Sequence, residues 1–423
     1  MATFYGEKSI NFRPFFRLGA ILLFFLYTSP SSGCPGILAG AKFGWGVVRN
    51  NLRLFVLDSN KQWQEKPVQV DPIGKNGKMK FFPDERWKQQ RLARDDKVSF
   101  ILNDFGARVD SLGSSPCEAT RVYEVSTPKG RYGYFFVCKK PTPVPFQPLI
   151  KHQRLERSVV APLYSYGYTA ENHLMFDFLK LSFEKPYSFP YLLAAESDQL
   201  IIGDLQSFLT LTFDAGDFEA EIINERAGPV ALVGQLSFFL QILMFSIDLE
   251  LSPEVNFYPD SIHVPMVMHL PVDPQDYLNP GSGLYYSWRP GKDLLFSPEL
   301  SQLPEIGAKP EEVVGQHCQG SRCFFTLSGD VGFGFFSLDF IIDRSMVLRG
   351  FFPQLIRDLE AYEKKEDFKY SRYDGKRLAV FFETSRLPEG SNYWDFWLRF
   401  GTERHDLEQR CGIDQLLVKQ VRK

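Results

Sequence analysis

The chain has 423 residues, of which 44% are hydrophobic and 23% charged, and its formal net charge is −3 at pH 7. This composition is typical of a folded globular protein and excludes extensive disorder. Acidic and basic residues are interspersed without a basic stripe, which argues against a nucleic acid as partner. Aromatic residues make up 15% of the chain, and this usage favours β-strands over helical bundles.

Residues 1–33 have the pattern of a secretory signal. Three basic residues precede an uncharged apolar run of ten residues, 18–27, and small residues follow it. Ten residues are too few to span a bilayer, which takes about 20 in a helix. We therefore predict export to the periplasm or outer envelope of a Gram-negative-type bacterium, with no membrane span after the signal is removed. The stretch from Ser31 to Cys34 resembles a bacterial lipobox, although Ser31 replaces the usual aliphatic residue. Both simple cleavage and a lipid anchor on Cys34 stay open.

Because exported proteins meet an oxidising environment, the six cysteines are candidates for disulfide bonds. Cys117 and Cys138 flank two β-like runs joined by a turn at 127–130, so that a hairpin would bring them opposite each other. Cys318 and Cys323 enclose four residues and would close a tight loop. Cys34 and Cys411 remain, either as a pair or as a lipid site and a free thiol.

The stretch from Arg94 to Asp110 holds four aspartates around the apolar run Val98–Leu102. A calcium-binding EF-hand loop would need oxygen ligands where that run lies. Asp and Asn at strand ends usually accept hydrogen bonds from turn amides. We therefore predict a strand between two turns here.

Three short motifs carry a resemblance to a group of proteins. They are Pro67–Asp71 (PVQVD), the segment 95–108 that contains the aspartate-flanked strand, and Ala227–Val230 (AGPV). Together they resemble uncharacterised exported bacterial β-sandwich proteins, a group without an assigned activity. The Gly-Pro pattern also resembles sugar-acting β-supersandwich proteins, but Ala231 stands where an arginine would be found. The resemblance implies a β-sandwich fold and no particular chemistry.

The chain divides by composition into a small and a large β region. Strand-like runs separated by turn residues recur every 10–15 residues, as in a sandwich or barrel. We predict a mainly β fold: an antiparallel β-sandwich or supersandwich with a small N-terminal β domain and short C-terminal helices. The predicted boundaries are a signal peptide at 1–33, an N-terminal β domain at 34–138, a Pro-rich linker at 139–157, a large β-sandwich at 158–403 and a C-terminal helix at 404–423.

Three further local predictions concern the second half of the chain. The apolar run 237–251 is interrupted by polar residues and is expected to form one long or two short strands. The apolar spacing after Pro353 predicts a helix over 352–365. Asp374–Gly375 predicts a hairpin turn.

Two aromatic groups form the candidate ligand site. Aromatic faces beside a guanidinium suit stacking against a sugar ring or anchoring a protein partner. The candidate residues are Tyr285, Tyr286, Trp288 and Arg289 in a predicted loop or strand edge, and Trp394 and Trp397 near the C-terminus. The alternative is that these rings fill a large β core.

The sequence contains no familiar catalytic motif and no cluster of His and Cys at metal-ligand spacing. No catalytic residue, cofactor or metal is therefore predicted. The leading hypothesis is an exported cell-envelope protein with a non-catalytic binding or structural role, whose partner is an envelope protein or a polysaccharide. The alternative is a carbohydrate-active protein, a polysaccharide lyase or a mutarotase-like supersandwich, that binds sugars through an aromatic surface.

Overall fold

The computed structural model describes residues 35–74, 79–82, 85–110, 112–141, 146–182, 191–206, 210–214, 217–242, 245–248, 254–291, 295–296, 302–330, 334–357, 377–401 and 416–421. The predicted signal peptide, Cys34, Cys411 and the predicted turn at 374–375 lie outside these residues.

The described residues form four antiparallel sheets with few helices. In chain order the strands are β1 Pro35–Ala39, β2 Leu52–Leu57, β3 Trp63–Lys66, β4 Val68–Asp71, β5 Lys97–Ile101, β6 Ala119–Ser126, β7 Tyr132–Cys138, β8 Lys151–Gln153, β9 Ser158–Val160, β10 Tyr164–Tyr168, β11 Phe176–Leu181, β12 Tyr191–Asp204, β13 Thr210–Asp214, β14 Phe218–Ala227, β15 Leu232–Ile242, β16 Phe245–Asp248, β17 Glu254–Phe257, β18 Ser261–Leu270, β19 Gly283–Pro290, β20 Leu295–Phe296, β21 Cys318–Gln319, β22 Arg322–Asp330, β23 Phe335–Asp343, β24 Gln354–Ile356, β25 Leu378–Phe382, β26 Gly390–Gly401 and β27 Leu417–Val421. The α-helices are α1 Pro310–His317 and α2 Arg344–Leu348, and short 3-10 turns span Gly40–Phe43, Arg49–Asn51, Glu85–Gln89, Leu102–Asp104, Arg154–Glu156, Pro274–Asp276 and Thr384–Arg386.

Two large sheets form a sandwich. One has nine strands, in the order β24-β25-β19-β12-β11-β10-β9-β8 with β13 beside β12. The other has ten strands, in the order β14-β15-β17-β18-β26-β23-β22-β20 with β16 beside β15 and β21 beside β22. The largest apolar cluster lies between these sheets and takes residues from both. The predicted fold class, a mainly β antiparallel sandwich, is confirmed.

Two smaller sheets make an N-terminal unit on the outer face of the ten-stranded sheet. Their strand orders are β1-β5-β4 and β27-β6-β7-β2-β3. Phe100 and Phe135 from this unit share one apolar cluster with Val233, Tyr258 and Trp397 of the large sheet. The C-terminal part of β26, Trp397–Gly401, is therefore buried on both faces, which explains why its sequence lacks a clean apolar–polar alternation.

Local predictions that depend on neighbouring residues are also confirmed. Strands β6 and β7 form the predicted hairpin, and the Cys117–Cys138 disulfide joins it with a Cα–Cα distance of 5.8 Å. Cys318 and Cys323 form the second predicted disulfide. The described residues of the apolar run 237–251 lie in two strands, β15 up to Ile242 and β16 at Phe245–Asp248. Neither α-helix of the described residues has the length and apolar character needed to cross a membrane.

The predicted C-terminal helices are wrong where the structure describes them. Residues Gln354–Ile356 form β24, whose side chains are all buried and which pairs with β25. Leu417–Val421, within the predicted helix at 404–423, forms β27 and pairs with β6 of the N-terminal unit. In both places pairing to an existing sheet overrides a weak helix propensity.

The predicted Pro-rich linker at 139–157 is partly structured. Lys151–Gln153 forms β8, which pairs with β9 at the edge of the nine-stranded sheet. The large sandwich thus begins before residue 158.

Candidate functional site

The side chains predicted to bind a ligand are divided between separate places. Tyr286, Trp288 and Trp394 point into the core between the two large sheets and line one cavity of about 150 Å³. Trp288 is only 3% exposed. These three residues do come together, but inside the sandwich rather than at its surface.

Tyr285, Arg289 and Trp397 lie elsewhere because successive side chains of a strand point to opposite faces. Tyr285 packs on the outer face of β19, with its ring centroid 4.5 Å from that of Phe381. Arg289 forms an exposed ion pair with Glu196 at 3.0 Å. Trp397 is buried beneath the N-terminal unit. Strand β19 lies inside its sheet, between β12 and β25, and not at the predicted edge. The six side chains therefore share no single surface.

Two of the three sequence motifs contact each other where the N-terminal unit meets the ten-stranded sheet. The side-chain oxygen of Gln69 accepts hydrogen bonds from the backbone N–H groups of Val230 and Ala231, at 3.3 and 2.8 Å. A Cβ atom at Gly228 would lie 2.2 Å from that oxygen, so only glycine allows this approach. The motifs thus fix how β4 docks on the loop after β14.

A buried charge group strengthens the same contact. Asp71 is fully buried and its carboxylate accepts from the Gln69 amide at 3.0 and 3.1 Å. Arg226 lies 3.4 Å from it and also donates to the Val70 carbonyl at 3.0 Å. Burial raises the pKa of the Asp71 carboxyl, although the cations Lys97 and Arg226 oppose the rise.

The third motif supplies a second buried ion pair beside the first. Asp96 pairs with Arg49 at 2.7 Å and accepts from the backbone N–H groups of Ala93 and Ile73, at 2.8 and 3.3 Å. The predicted strand with a turn-capping aspartate is therefore confirmed, with β5 as the strand. Arg49 in turn lies beside the Trp87 ring.

Gln69, Arg226 and Arg49 line a surface cleft of about 570 Å³, which we call the basic cleft. It lies between the N-terminal unit and β14 and has the volume of a small-molecule site. Four of its described lining residues are basic and none is acidic. The lining residues are Arg49, Asn50, Leu52, Arg53, Val68, Gln69, Val70, Phe81, Phe82, Trp87, Lys88, Arg226, Ala227, Gly228 and Pro229.

The Trp87 ring packs against two of the cations of the basic cleft. The guanidinium groups of Arg226 and Arg49 lie 4.6 and 5.3 Å from the centroid of the Trp87 ring. Cation–π contacts of this kind hold both side chains in place. Phe82, in contrast, is 77% exposed, so one face of its ring is open to a ligand.

Some arginine N–H groups of the basic cleft have no acceptor. Within the described part of the chain, Nε and Nη2 of Arg53 and Nη1 of Arg226 are buried and make no hydrogen bond. Arg53 contacts Glu65 at 3.4 Å only through Nη1. A buried donor without an acceptor is costly, and a carboxylate or sulfate would satisfy these groups well because guanidinium matches such anions in geometry. The lining of the basic cleft thus combines four cations with guanidinium N–H groups that lack an acceptor.

A second polar cluster lies at the edge of the sandwich, on β8, β10 and β14. His152 Nδ1 is 2.5 Å from Glu225, and its Nε2 is 2.6 Å from the Tyr168 hydroxyl. Because Glu225 accepts the Nδ1 proton, Nε2 is free to accept from Tyr168. Tyr168, His152 and Glu225 thus form a continuous hydrogen-bonded chain. Arg154 also contacts Glu225 at 3.1 Å.

His173 lies beside this cluster and gives a prediction on pH. Its Nδ1 accepts from the backbone N–H of Ile222 at 2.9 Å. Burial, together with the charges of His152 and Arg157, lowers the pKa of His173 to about 4. The folded state thus binds fewer protons than the unfolded state between pH 4 and 6.5. Its contribution to stability is complete above pH 6.5 and is lost as the pH falls towards 4.

Between pH 7 and pH 4.5, the free energy of unfolding should fall by about 1–2 kcal/mol more in the wild-type protein than in the His173→Gln variant. This figure allows for the partial solvent exposure of His173. Urea unfolding at the two pH values measures this difference, and the variant corrects for all other titrating groups. Equal losses in the two proteins would show that His173 is not kept neutral by the fold.

The described residues contain no group of three or more His, Cys, Asp or Glu side chains placed to hold a metal ion. The basic cleft escaped the sequence prediction because its residues come from four segments. The only sequence signal was that one quoted motif, Pro67–Asp71, contains Gln69 and another, Ala227–Val230, directly follows Arg226.

No protein-family model matches the chain, and a search of curated proteins found no match either. Among solved structures, the chain is similar to a protein in the glycosyl hydrolase family 38 from Enterococcus faecalis, with 7% identity, a TM-score of 0.40, and coverage of 88% of this chain and 42% of that one. It is also similar to an alpha-mannosidase from Enterococcus faecalis, with 8% identity, a TM-score of 0.41, and coverage of 92% and 45%. A putative kojibiose phosphorylase from human microbiome follows at 5% identity, a TM-score of 0.21, and coverage of 62% and 35%.

The chain thus spans less than half the length of these structures. Their names contradict our leading hypothesis of a non-catalytic binding or structural role in the envelope, which we do not retain. They agree better with the alternative, a carbohydrate-active protein.

Proposed function

We propose that the protein is a carbohydrate-active protein that binds an acidic saccharide in the basic cleft. The observation that carries this proposal is the set of unpaired, buried N–H groups on Arg53 and Arg226 next to the open ring of Phe82. A uronic acid or sulfated sugar has both features that this surface fits. Its acidic group accepts from the guanidinium groups, and its apolar ring face covers the aromatic ring.

Direct binding measurements test the proposal. By calorimetry at low salt, we expect a galacturonate trisaccharide to bind at least about 10-fold more tightly than the neutral galactose trisaccharide, since a charge-assisted hydrogen bond contributes about 1.5–3 kcal/mol. Affinity should fall as salt is added, because part of the attraction is between exposed charges.

Two variants locate the site. Arg53→Gln should weaken binding of the galacturonate trisaccharide by about 10-fold, and Phe82→Ala should weaken it several-fold through the lost ring contact. Matched controls are Arg108→Gln, whose side chain forms an exposed ion pair with Glu124, and Trp45→Ala, whose ring is 86% exposed outside the cleft. Both controls should bind as wild type does. Equal affinity for the neutral sugar, or wild-type binding by both cleft variants, would contradict the proposal.

We further propose that the protein is exported to an oxidising compartment of a bacterial envelope. The two disulfides support this, since such bonds persist in oxidising compartments and are rare in the cytosol. The same proposal includes membership in the group of exported bacterial β-sandwich proteins. It leaves two outcomes for Cys34, simple cleavage before it or a lipid anchor on it. Mass determination of the mature N-terminus after expression with residues 1–33 distinguishes simple cleavage from acylation.

A further inference from the structure

The cavity between the two large sheets is separate from the basic cleft and has a different chemistry. It holds about 150 Å³ and is lined by residues from both sheets. None of its 21 described lining residues is charged and nine are aromatic. Protein interiors are otherwise packed as densely as organic crystals, so an apolar cavity of this size between two packed sheets calls for an explanation.

The two tyrosine hydroxyls at this cavity are already engaged. The Tyr166 hydroxyl donates to the backbone carbonyl of His173 at 3.1 Å, and the Tyr286 hydroxyl hydrogen-bonds with Ser197. Burial raises the pKa of Tyr286, so its phenol stays neutral. A stable water molecule needs two to four polar partners. The walls offer few such partners, which favours a dry cavity over a hydrated one.

Size and lining together define the occupant. A dry cavity of about 150 Å³ with apolar walls is large enough to bind benzene. Phe176, Tyr286, Trp288 and Trp394 present ring faces and edges to this space, and rings of a guest would pack against them in the offset or edge-on geometry that aromatic pairs prefer. A charged guest would lose its hydration without gaining a counter-ion.

We propose that this cavity is a binding site for a compact, neutral, apolar molecule with a single ring. It is independent of the saccharide site proposed for the basic cleft. Filling the void restores the dispersion contacts that its walls otherwise lack, which is the source of the affinity.

Benzene is the probe, and benzylammonium is its charged counterpart, chosen as a cation so that the basic cleft does not attract it. By calorimetry or ligand-detected NMR, wild-type protein should bind benzene with a Kd of about 1 mM or tighter, which is reasonable for six heavy atoms in a dry pocket. Benzylammonium should bind at least about 10-fold more weakly, since its charge must be desolvated.

Variants that fill the cavity locate the site. Ala194 lines the cavity from the nine-stranded sheet and Leu338 lines it from the ten-stranded sheet. Ala194→Leu or Leu338→Phe should weaken benzene binding at least 10-fold, because the larger side chain occupies the space of the ligand. Leu155→Phe is the matched control, since Leu155 lies fully exposed outside the cavity. If one filling variant does not fold, the other decides. Absence of benzene binding to wild type, or unchanged affinity in a folded filling variant, would overturn the proposal.

Discussion

Replacing Asp71 with alanine is expected to lower the free energy of unfolding by about 3–5 kcal/mol, the usual loss when one partner of a buried ion pair is removed. Asp71 is fully buried, and it is the acceptor for the Gln69 amide and the counter-ion of Arg226. Without it, Arg226 keeps a desolvated charge with no counter-ion at this position. Gln69 also loses the partner that holds it against Ala231, so docking of the N-terminal unit weakens.

Asp104→Ala is the matched control for Asp71→Ala. Asp104 forms an ion pair with Lys66 at 3.0 Å, but both side chains are partly exposed. Water solvates the remaining charge of such a pair well, so the free energy of unfolding should fall by at most about 1 kcal/mol. Urea unfolding at pH 7 compares the two variants. A similar loss in both would mean that the buried network contributes no more than a surface pair.

Phe135→Ala is the second large effect, with an expected loss of about 3–5 kcal/mol from the cavity that it leaves. Phe135 has no exposed surface. Its ring contacts those of Phe43 and Phe100, with centroids 5.0 and 5.2 Å apart in edge-on geometry. It therefore lies where the two sheets of the N-terminal unit meet, inside the apolar cluster to which both sheets contribute.

Two other substitutions bracket this result. Phe135→Leu retains most of the buried volume and should cost clearly less than Phe135→Ala. Phe82→Ala removes the same side chain from an exposed position and should change stability by no more than about 0.5 kcal/mol, while it weakens saccharide binding. Guanidinium unfolding measures all three. A small loss for Phe135→Ala would indicate that the two N-terminal sheets do not depend on this ring.

The two predictions separate the roles of one interface. Asp71 lies where the N-terminal unit docks on the sandwich and holds Gln69 and Arg226, two residues that line the basic cleft, whereas Phe135 lies inside that unit. Loss of saccharide binding in Asp71→Ala at a temperature where the protein is folded would show that docking of the unit shapes the cleft. Phe135→Ala should leave binding intact below its unfolding transition.

The sequence by itself determined those features that depend on residues close together in the chain. The hairpin closed by Cys117–Cys138 follows from two alternating runs and a turn, and the strand β5 follows from its apolar run and its capping aspartate. The β-sandwich class follows from the repeated pattern of short strands and turns. In these cases backbone hydrogen bonding and turn chemistry leave few alternatives.

Only the tertiary structure decided where the functional surfaces lie. The aromatic candidates alternate along β19 and β26, and the sequence could not tell which face was core because the C-terminal part of β26 is buried on both faces. Strand β27 was predicted as a helix, since pairing with the distant β6 leaves no trace in local propensity. The basic cleft joins Arg53, Trp87 and Arg226, and packing alone brought these distant residues together around unpaired guanidinium groups.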